Sequence, residues 1–211
     1  MTTCEKPVAE ATGLKPAQAA LKRVFDLVFA LLGLALAWWL IVIAWLAASV
    51  DTRSNGFFIQ KRVGRNSKIF RVVKIKTMRP VEAFDTTVTR RGDPRITALG
   101  AFFRKTKIDE LPQLWNVLLG DMSFVGPRPD VPGFADTLQG EERAMLSIRP
   151  GITGPATLKY RNEEELLAEQ ENPELFNREV IWPDKVKVNL EYIRDWSLRR
   201  DIQFILETVF H

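Results

Sequence analysis

The hydrophobic positions of this chain fall into one long run and several short periodic stretches. From Leu27 to Val50 no residue is charged, and leucine, alanine, isoleucine and tryptophan dominate. As a helix of about 24 residues the run extends roughly 36 Å at about 1.5 Å per residue, enough to cross a bilayer core of about 30 Å. A buried helix of a soluble protein is rarely so long and so apolar. A cleaved signal peptide is shorter and ends on small residues. The run therefore reads as a permanent membrane anchor. Gly33 lies within it, but no proline does. The residue pattern alone thus favours a straight span over a turn inside lipid, where unsatisfied backbone groups are costly.

The flanking pattern divides the chain into a polar tail (residues 1–19), the anchor (20–50) and a body (51–211). Phe57-Phe58-Ile59-Gln60 and Ile69-Phe70-Arg71-Val72-Val73 have strand character, and Val63-Gly64-Arg65-Asn66-Ser67 carries turn residues. Together they predict a hairpin within Phe57–Met78. Residues 80–95 read as a loop. Leu99–Lys107 and Leu111–Leu119 are predicted helices, with Asp109 and Glu110 near the start of the second and Pro112 in its first turn. Gly140–Ser147 reads as a short helix, and Glu163–Glu171 as an acidic helix ending before Pro173. Asp184–Phe210 is one long amphipathic helix or a pair. Val186, Leu190, Ile193, Trp196, Ile202, Ile205, Leu206 and Val209 lie on its apolar side, which suits core packing or a membrane surface. The expected fold class is α+β: a mostly helical membrane-associated domain with a small β-hairpin and an N-terminal membrane-embedded helix.

Composition removes most routes to catalysis. The 211 residues suit one domain with appendages, and the sole histidine is His211. A serine-histidine-aspartate triad or a histidine-based metal site is not available. The sole cysteine, Cys4, rules out an intrachain disulfide and fits a reducing compartment. Neither a Walker A loop nor a Gly-x-Gly-x-x-Gly fingerprint is present. Carboxylates, arginines, lysines and a hard metal ion remain.

The net charge of +4 is unevenly spread, with eight basic and no acidic residues from Lys61 to Arg79. Such a stretch suits nucleic acid, anionic lipid or a phosphorylated substrate, or is simply a solvated face. The adjoining anchor and the scarcity of aromatics argue against nucleic acid. Dense positive charge after the anchor places the body in the cytoplasm. Lys22 and Arg23 before the anchor prefer that same side, which conflicts with a simple span. Asp26, beside them, suits helix-dipole stabilisation or an ion pair.

The candidate chemistry lies between Arg104 and Pro129. The adjacent Asp109 and Glu110 follow Arg104 and precede the Gly126-Pro127-Arg128-Pro129 turn. An aspartate near a helix start is often only a cap. Guanidinium groups, however, grip phosphate bidentately, carboxylates grip Mg²⁺, and a carboxylate can attack phosphorus. Two neighbouring carboxyl groups push their pKa values apart and divide labour. The residues favour phosphoryl-group chemistry at a membrane over a structural role.

Several ordered motifs then resemble the bacterial sugar transferases, the monotopic phosphoglycosyl transferases that start glycan assembly. They are Lys22-Arg23 through Asp26, Lys61-Arg62-Val63-Gly64-Arg65-Asn66, Lys74-Ile75-Lys76-Thr77-Met78, Asp93-Pro94-Arg95-Ile96-Thr97 and Asp109-Glu110-Leu111-Pro112-Gln113-Leu114. Gly120-Asp121-Met122-Ser123-Phe124-Val125-Gly126-Pro127-Arg128-Pro129 and Arg149-Pro150-Gly151-Ile152-Thr153-Gly154 complete the set. The resemblance covers residues 20–210 and looks like the minimal catalytic form. It implies transfer of a sugar 1-phosphate from a UDP-sugar to undecaprenyl phosphate with release of UMP. It implies Asp109 as nucleophile, forming an aspartyl phospho-sugar, and Glu110 as metal ligand or proton acceptor. Mg²⁺ is the implied cofactor, held by Asp109 and Glu110. Lys74 and Arg104 match phosphate-binding positions, and Pro127, Arg128 and Pro129 match the motif near the nucleotide. The implied location is the bacterial inner membrane, catalytic domain on the cytoplasmic face, in contact with membrane lipids and without nucleic acid; a homo-oligomer is compatible. The family's anchor is re-entrant and turns at a Ser-Pro break. Here Trp38-Trp39 occupies that place, and the resemblance implies a re-entrant anchor helix in this chain too, against the straight span that the residue pattern favours. The contrasting expectation, from another class, is a non-catalytic scaffold that binds polyprenyl phosphate or anionic lipid.

Overall fold

A computed structural model describes residues 13–79 and 93–210 of the chain. The tail before residue 13 and most of the expected loop over 80–95 lie outside the described residues. The first element, α1 (Pro16–Thr52), is α-helical throughout its 37 residues. It begins four residues before the expected tail boundary, at a proline suited to a first helical turn. It runs unbroken through Trp38-Trp39, so the turn of a re-entrant path is absent. The physical reason is local: no proline interrupts the ladder, and Gly33 sits helical beside Leu114.

The buried positions of α1 are Lys22, Asp26, Ala30, Ala44, Ala48 and Thr52. Their spacings of four and fourteen residues keep them on one face. Ala30 packs with Phe70, Val72, Val117 and Met122, and Ala44 and Ala48 pack with Ile75 and Phe103. The small residues let the body approach closely. Contact with the body thus runs from Lys22 to Thr52, about 45 Å of helix at about 1.5 Å per residue. The opposite face exposes Leu32, Leu36, Trp38, Trp39, Ile43 and Val50.

The hairpin forms as the alternation predicts. Strands β1 (Phe57–Val63) and β2 (Ile69–Ile75) pair antiparallel, from Phe57 opposite Ile75 to Val63 opposite Ile69. Asn66, with φ 56°, takes the left-handed conformation in the connecting turn. Helix α2 (Ala98–Thr106) follows, then a 3-10 turn (Ile108–Glu110), α3 (Gln113–Leu119) and β3 (Ser123–Val125). The expected Gly140–Ser147 helix is present as a 3-10 helix. Strand β4 (Gly151–Thr153) then pairs parallel with β3. Short helices α4 (Pro155–Lys159), α5 (Glu163–Ala168) and α6 (Pro173–Phe176) lead to α7 (Trp182–Arg194) and α8 (Leu198–Phe210). The C-terminal apolar stretch is therefore a pair of helices. The α7 face carrying Val186 and Ile193 is buried, whereas Ile202, Leu206 and Val209 on α8 are exposed.

The two glycine-rich motifs pack against each other. A Cβ on Gly151 would run into the Gly126 nitrogen and the Thr153 oxygen, and one on Gly154 into the Gly126 oxygen. These are backbone collisions that no side-chain shift relieves. Gly151→Ala is expected to cost upward of about 2 kcal/mol through overpacking, read as a lowered thermal midpoint in detergent.

Candidate active site

The chain reverses sharply before the carboxyl pair. Lys107 ends α2 in the left-handed region, φ 58°, a conformation uncommon for a residue with a side chain. The next residue, Ile108, packs with the Ala44, Ala48, Ile75 and Phe103 cluster. The turn is thereby fixed against α1. Asp109 and Glu110 stand in this separate 3-10 turn rather than in the first turn of α3, and Pro112 precedes that helix. Asn116 clamps α3 to the hairpin: its Nδ2 donates to the Arg71 carbonyl at 2.7 Å, and its Oδ1 accepts from the Val73 amide at 3.1 Å.

The two carboxyl groups occupy unlike environments. Asp109 is buried, and its Oδ1 has no hydrogen-bond partner among the described residues. Burial, reinforced by the neighbouring Glu110 charge, pushes its pKa up from 3.8 to about 6. Glu110 Oε1 accepts from Lys74 Nζ at 2.9 Å and from Arg128 Nη2 at 2.8 Å. Burial alone would raise the Glu110 pKa, but Arg128 and Lys74 outweigh it and hold the group well below the usual carboxylate range. Burial and the nearby Arg128 together lower the pKa of Lys74. One carboxyl is thus a fixed counter-ion, and the other is desolvated and uncommitted.

A cleft of about 420 Å³ opens over the pair, walled by Lys74, Arg104, Lys107, Arg128 and Arg161. Arg104 Nη2 donates to Glu164 Oε1 at 3.1 Å, while its Nη1 is buried without a partner among the described residues. The structure therefore brings Asp109, Glu110, Lys74, Arg104 and Arg128 to one cleft. It places Pro127 and Pro129 elsewhere: both are buried, and neither lines this cleft. The Pro127 carbonyl accepts from the Gly151 amide at 2.8 Å, and the Pro129 carbonyl from Arg62 Nη1 at 3.1 Å. They hold the backbone on either side of Arg128. Lys107, Arg161 and Glu164 also line the cleft, and no local pattern in the sequence marks them, because their shared place there comes from long-range packing.

The residues suit a divalent cation only in part. No cluster of three acidic, histidine or cysteine side chains exists among the described residues. Asp109 Oδ1 has no partner, and both cation contacts of Glu110 fall on Oε1. That leaves two hard oxygen donors, which is the protein share typical of Mg²⁺ bound mainly through substrate phosphates.

A long apolar helix fused along a body whose cleft gathers a buried carboxyl pair and several cations is the build of an enzyme for anionic groups near lipid. Residues 17–211 match the bacterial sugar transferase family, and the chain belongs to it. It is 38% identical over 192 residues to the UDP-glucose:undecaprenyl-phosphate glucose-1-phosphate transferase of Caulobacter vibrioides, covering 89% of this chain and 68% of that protein. The enzyme of the same name in Escherichia coli is 37% identical, covering 94% of this chain and 41% of that protein. The exopolysaccharide production protein ExoY of Sinorhizobium fredii is 30% identical, covering 95% of this chain and 88% of that protein.

Proposed function

We propose that the chain transfers a sugar 1-phosphate from a UDP-sugar to undecaprenyl phosphate. The observation that carries this reading is the unequal carboxyl pair: Asp109 buried and without a partner at Oδ1, Glu110 tied to Lys74 and Arg128. Lys74, Arg104 and Arg128 hold the diphosphate. Asp109, ionised, attacks the phosphorus next to the sugar; the P–O bond to UMP breaks, and UMP leaves with that electron pair. A phosphate oxygen of undecaprenyl phosphate then attacks the same phosphorus. The aspartyl P–O bond breaks, and the Asp109 carboxylate returns. Mg²⁺, bound through Asp109 and Glu110, would neutralise charge on the diphosphate.

The anchor supports a location. Its body contacts extend over nearly its whole length, so α1 with its exposed apolar face lies in the cytoplasmic leaflet of the inner membrane, the body docked beside it. Lys22, Arg23 and the basic hairpin then share one side without a turn in the helix.

The test is UMP release from a panel of UDP-sugars with detergent-solubilised protein, undecaprenyl phosphate and Mg²⁺. Release that requires the lipid acceptor supports the reading. Silence across the panel from folded protein favours a lipid-binding scaffold. The pH dependence adds a second check. Attack needs ionised Asp109, so the rate of protein-bound phospho-sugar formation is expected to rise through about pH 6 and level off above it. A flat profile from pH 5 to 8 counts against Asp109 as the titrating nucleophile.

A further inference from the structure

Beyond Arg128 the Asp109 cleft continues into a second chamber of about 340 Å³, at the lower end of the range of about 300–1,000 Å³ for ligand pockets. Lys107, Arg128, Arg161 and Glu164 wall both spaces. The chemistry changes across that boundary. The Asp109 side is cationic. Away from the shared wall the second chamber's lysine is already committed: Lys185 Nζ donates to both Glu163 oxygens at 2.7 Å. The same part of the lining also carries acceptor oxygens without a donor. Asp130 has no hydrogen bond or ion pair to its carboxylate among the described residues, and burial pushes its pKa up to about 6. Asn189, only 4% exposed, gives its Nδ2 to Met145 Sδ at 3.7 Å and has no partner on Oδ1 among the described residues. Thr157 Oγ1 is likewise buried without a partner. Trp182 adds an aromatic wall, held edge-on by Phe134 at 5.7 Å between ring centroids.

Buried polar atoms left without partners are costly. A diphosphate cannot satisfy the Asn189 and Asp130 oxygens, because it carries no hydrogen to donate and Asp130 repels it. A neutral ring bearing several hydroxyls can, each hydroxyl donating to a carboxylate, amide or threonine oxygen. We infer that this chamber is the glycosyl subsite, where Asp130, Thr157 and Asn189 read the hydroxyl pattern of the donor's hexose while Arg128, at the boundary, keeps the attached phosphate over Asp109. The inference rests on the function proposed above and deepens it by naming the residues that select the sugar.

The test compares wild type with Asn189→Ala, Asp130→Asn and Thr157→Val, each first shown to keep its thermal midpoint. UMP release is measured with UDP-glucose, UDP-galactose and their N-acetyl forms. The expected result is a rise of about tenfold in KM for the preferred donor and a changed order of preference among the four, because a hydroxyl loses its acceptor. KM for undecaprenyl phosphate and inhibition by UMP stay as in wild type. Unchanged donor preference in all three folded variants overturns the subsite. Weakened UMP inhibition in proportion to KM also overturns it, since the chamber then holds the nucleoside. If wild type turns over no donor, the functional reading fails separately. The subsite is then decided by calorimetry, which asks whether the variants lose discrimination among the same four UDP-sugars relative to UDP.

Discussion

Asp109→Asn is expected to lower turnover by at least about a thousandfold, the scale seen when a covalent nucleophile is removed. Intact-mass analysis after incubation with donor alone should show a phospho-sugar adduct on wild type and none on the variant. The substitution should not weaken the fold. Burial raises the Asp109 pKa above its unfolded value, so the favourable protonated form is fully present below about pH 4 and is lost as pH rises through about 6. Above that pH the buried charge costs the folded state on the order of 3 kcal/mol, from the size of the shift. An uncharged asparagine escapes that cost. The variant should therefore keep or raise its thermal midpoint at pH 7.5 and stay with the membrane fraction. Loss of activity together with a lower midpoint would point to a structural role. Glu110→Gln should behave differently: it leaves Lys74 and Arg128 beside each other without their shared counter-ion, so it lowers both stability and turnover.

The parts of this arrangement that were legible in the sequence are those written in local pattern. The hairpin follows from alternation and its turn residues, and the helical C-terminal stretch from apolar spacing, which left open whether it was one helix or two. The cleft was legible in outline because Asp109, Glu110, Arg104 and Arg128 are close in sequence, with Lys74 added by the resemblance. What was hidden depends on contacts between distant segments. The Gly126 and Gly151 motifs were visible separately, but nothing local says that they pair as parallel strands β3 and β4. The left-handed Lys107, which separates Asp109 from α2, is held by the packing of Ile108 on α1 rather than by a glycine or asparagine. Asp130, Thr157 and Asn189 sit on a loop, α4 and α7, and no spacing rule joins them. The anchor shows the same limit: hydropathy identified it, but the alanines that press it on the body look like ordinary members of an apolar run.

The second large effect concerns that junction. Lys22 and Asp26, which the sequence offered as a dipole or ion-pair group at the mouth of the anchor, are buried and turn toward different partners. Asp26 Oδ1 accepts from Ser123 Oγ at 2.9 Å and from the Phe124 amide at 3.1 Å, fixing β3 to α1. Lys22 Nζ meets Asp201 Oδ2 of α8 at 2.5 Å. Asp201 also accepts from Tyr192 Oη at 2.6 Å and from Trp196 Nε1 at 3.1 Å. Tyr192 Oη lies 3.4 Å from the Val125 carbonyl, three residues before Arg128. Anchor, last helix and site loop therefore meet at one buried network. Asp201→Ala leaves Lys22 as an unpaired buried charge and strips acceptors from two aromatic side chains, a change expected to cost about 3–5 kcal/mol. At about 2–4 °C per kcal/mol for a chain of this size, the thermal midpoint in detergent should fall by about 10 °C. Lys22→Met should cost less, because Asp201 keeps two donors. The double variant Lys22→Met with Asp201→Ala should be more stable than the sum of the single losses predicts, since neither member of the pair is left without the other. Strict additivity would mean that the two groups do not interact in the folded protein, and the coupling of the anchor to the site through Asp201 would have to be abandoned.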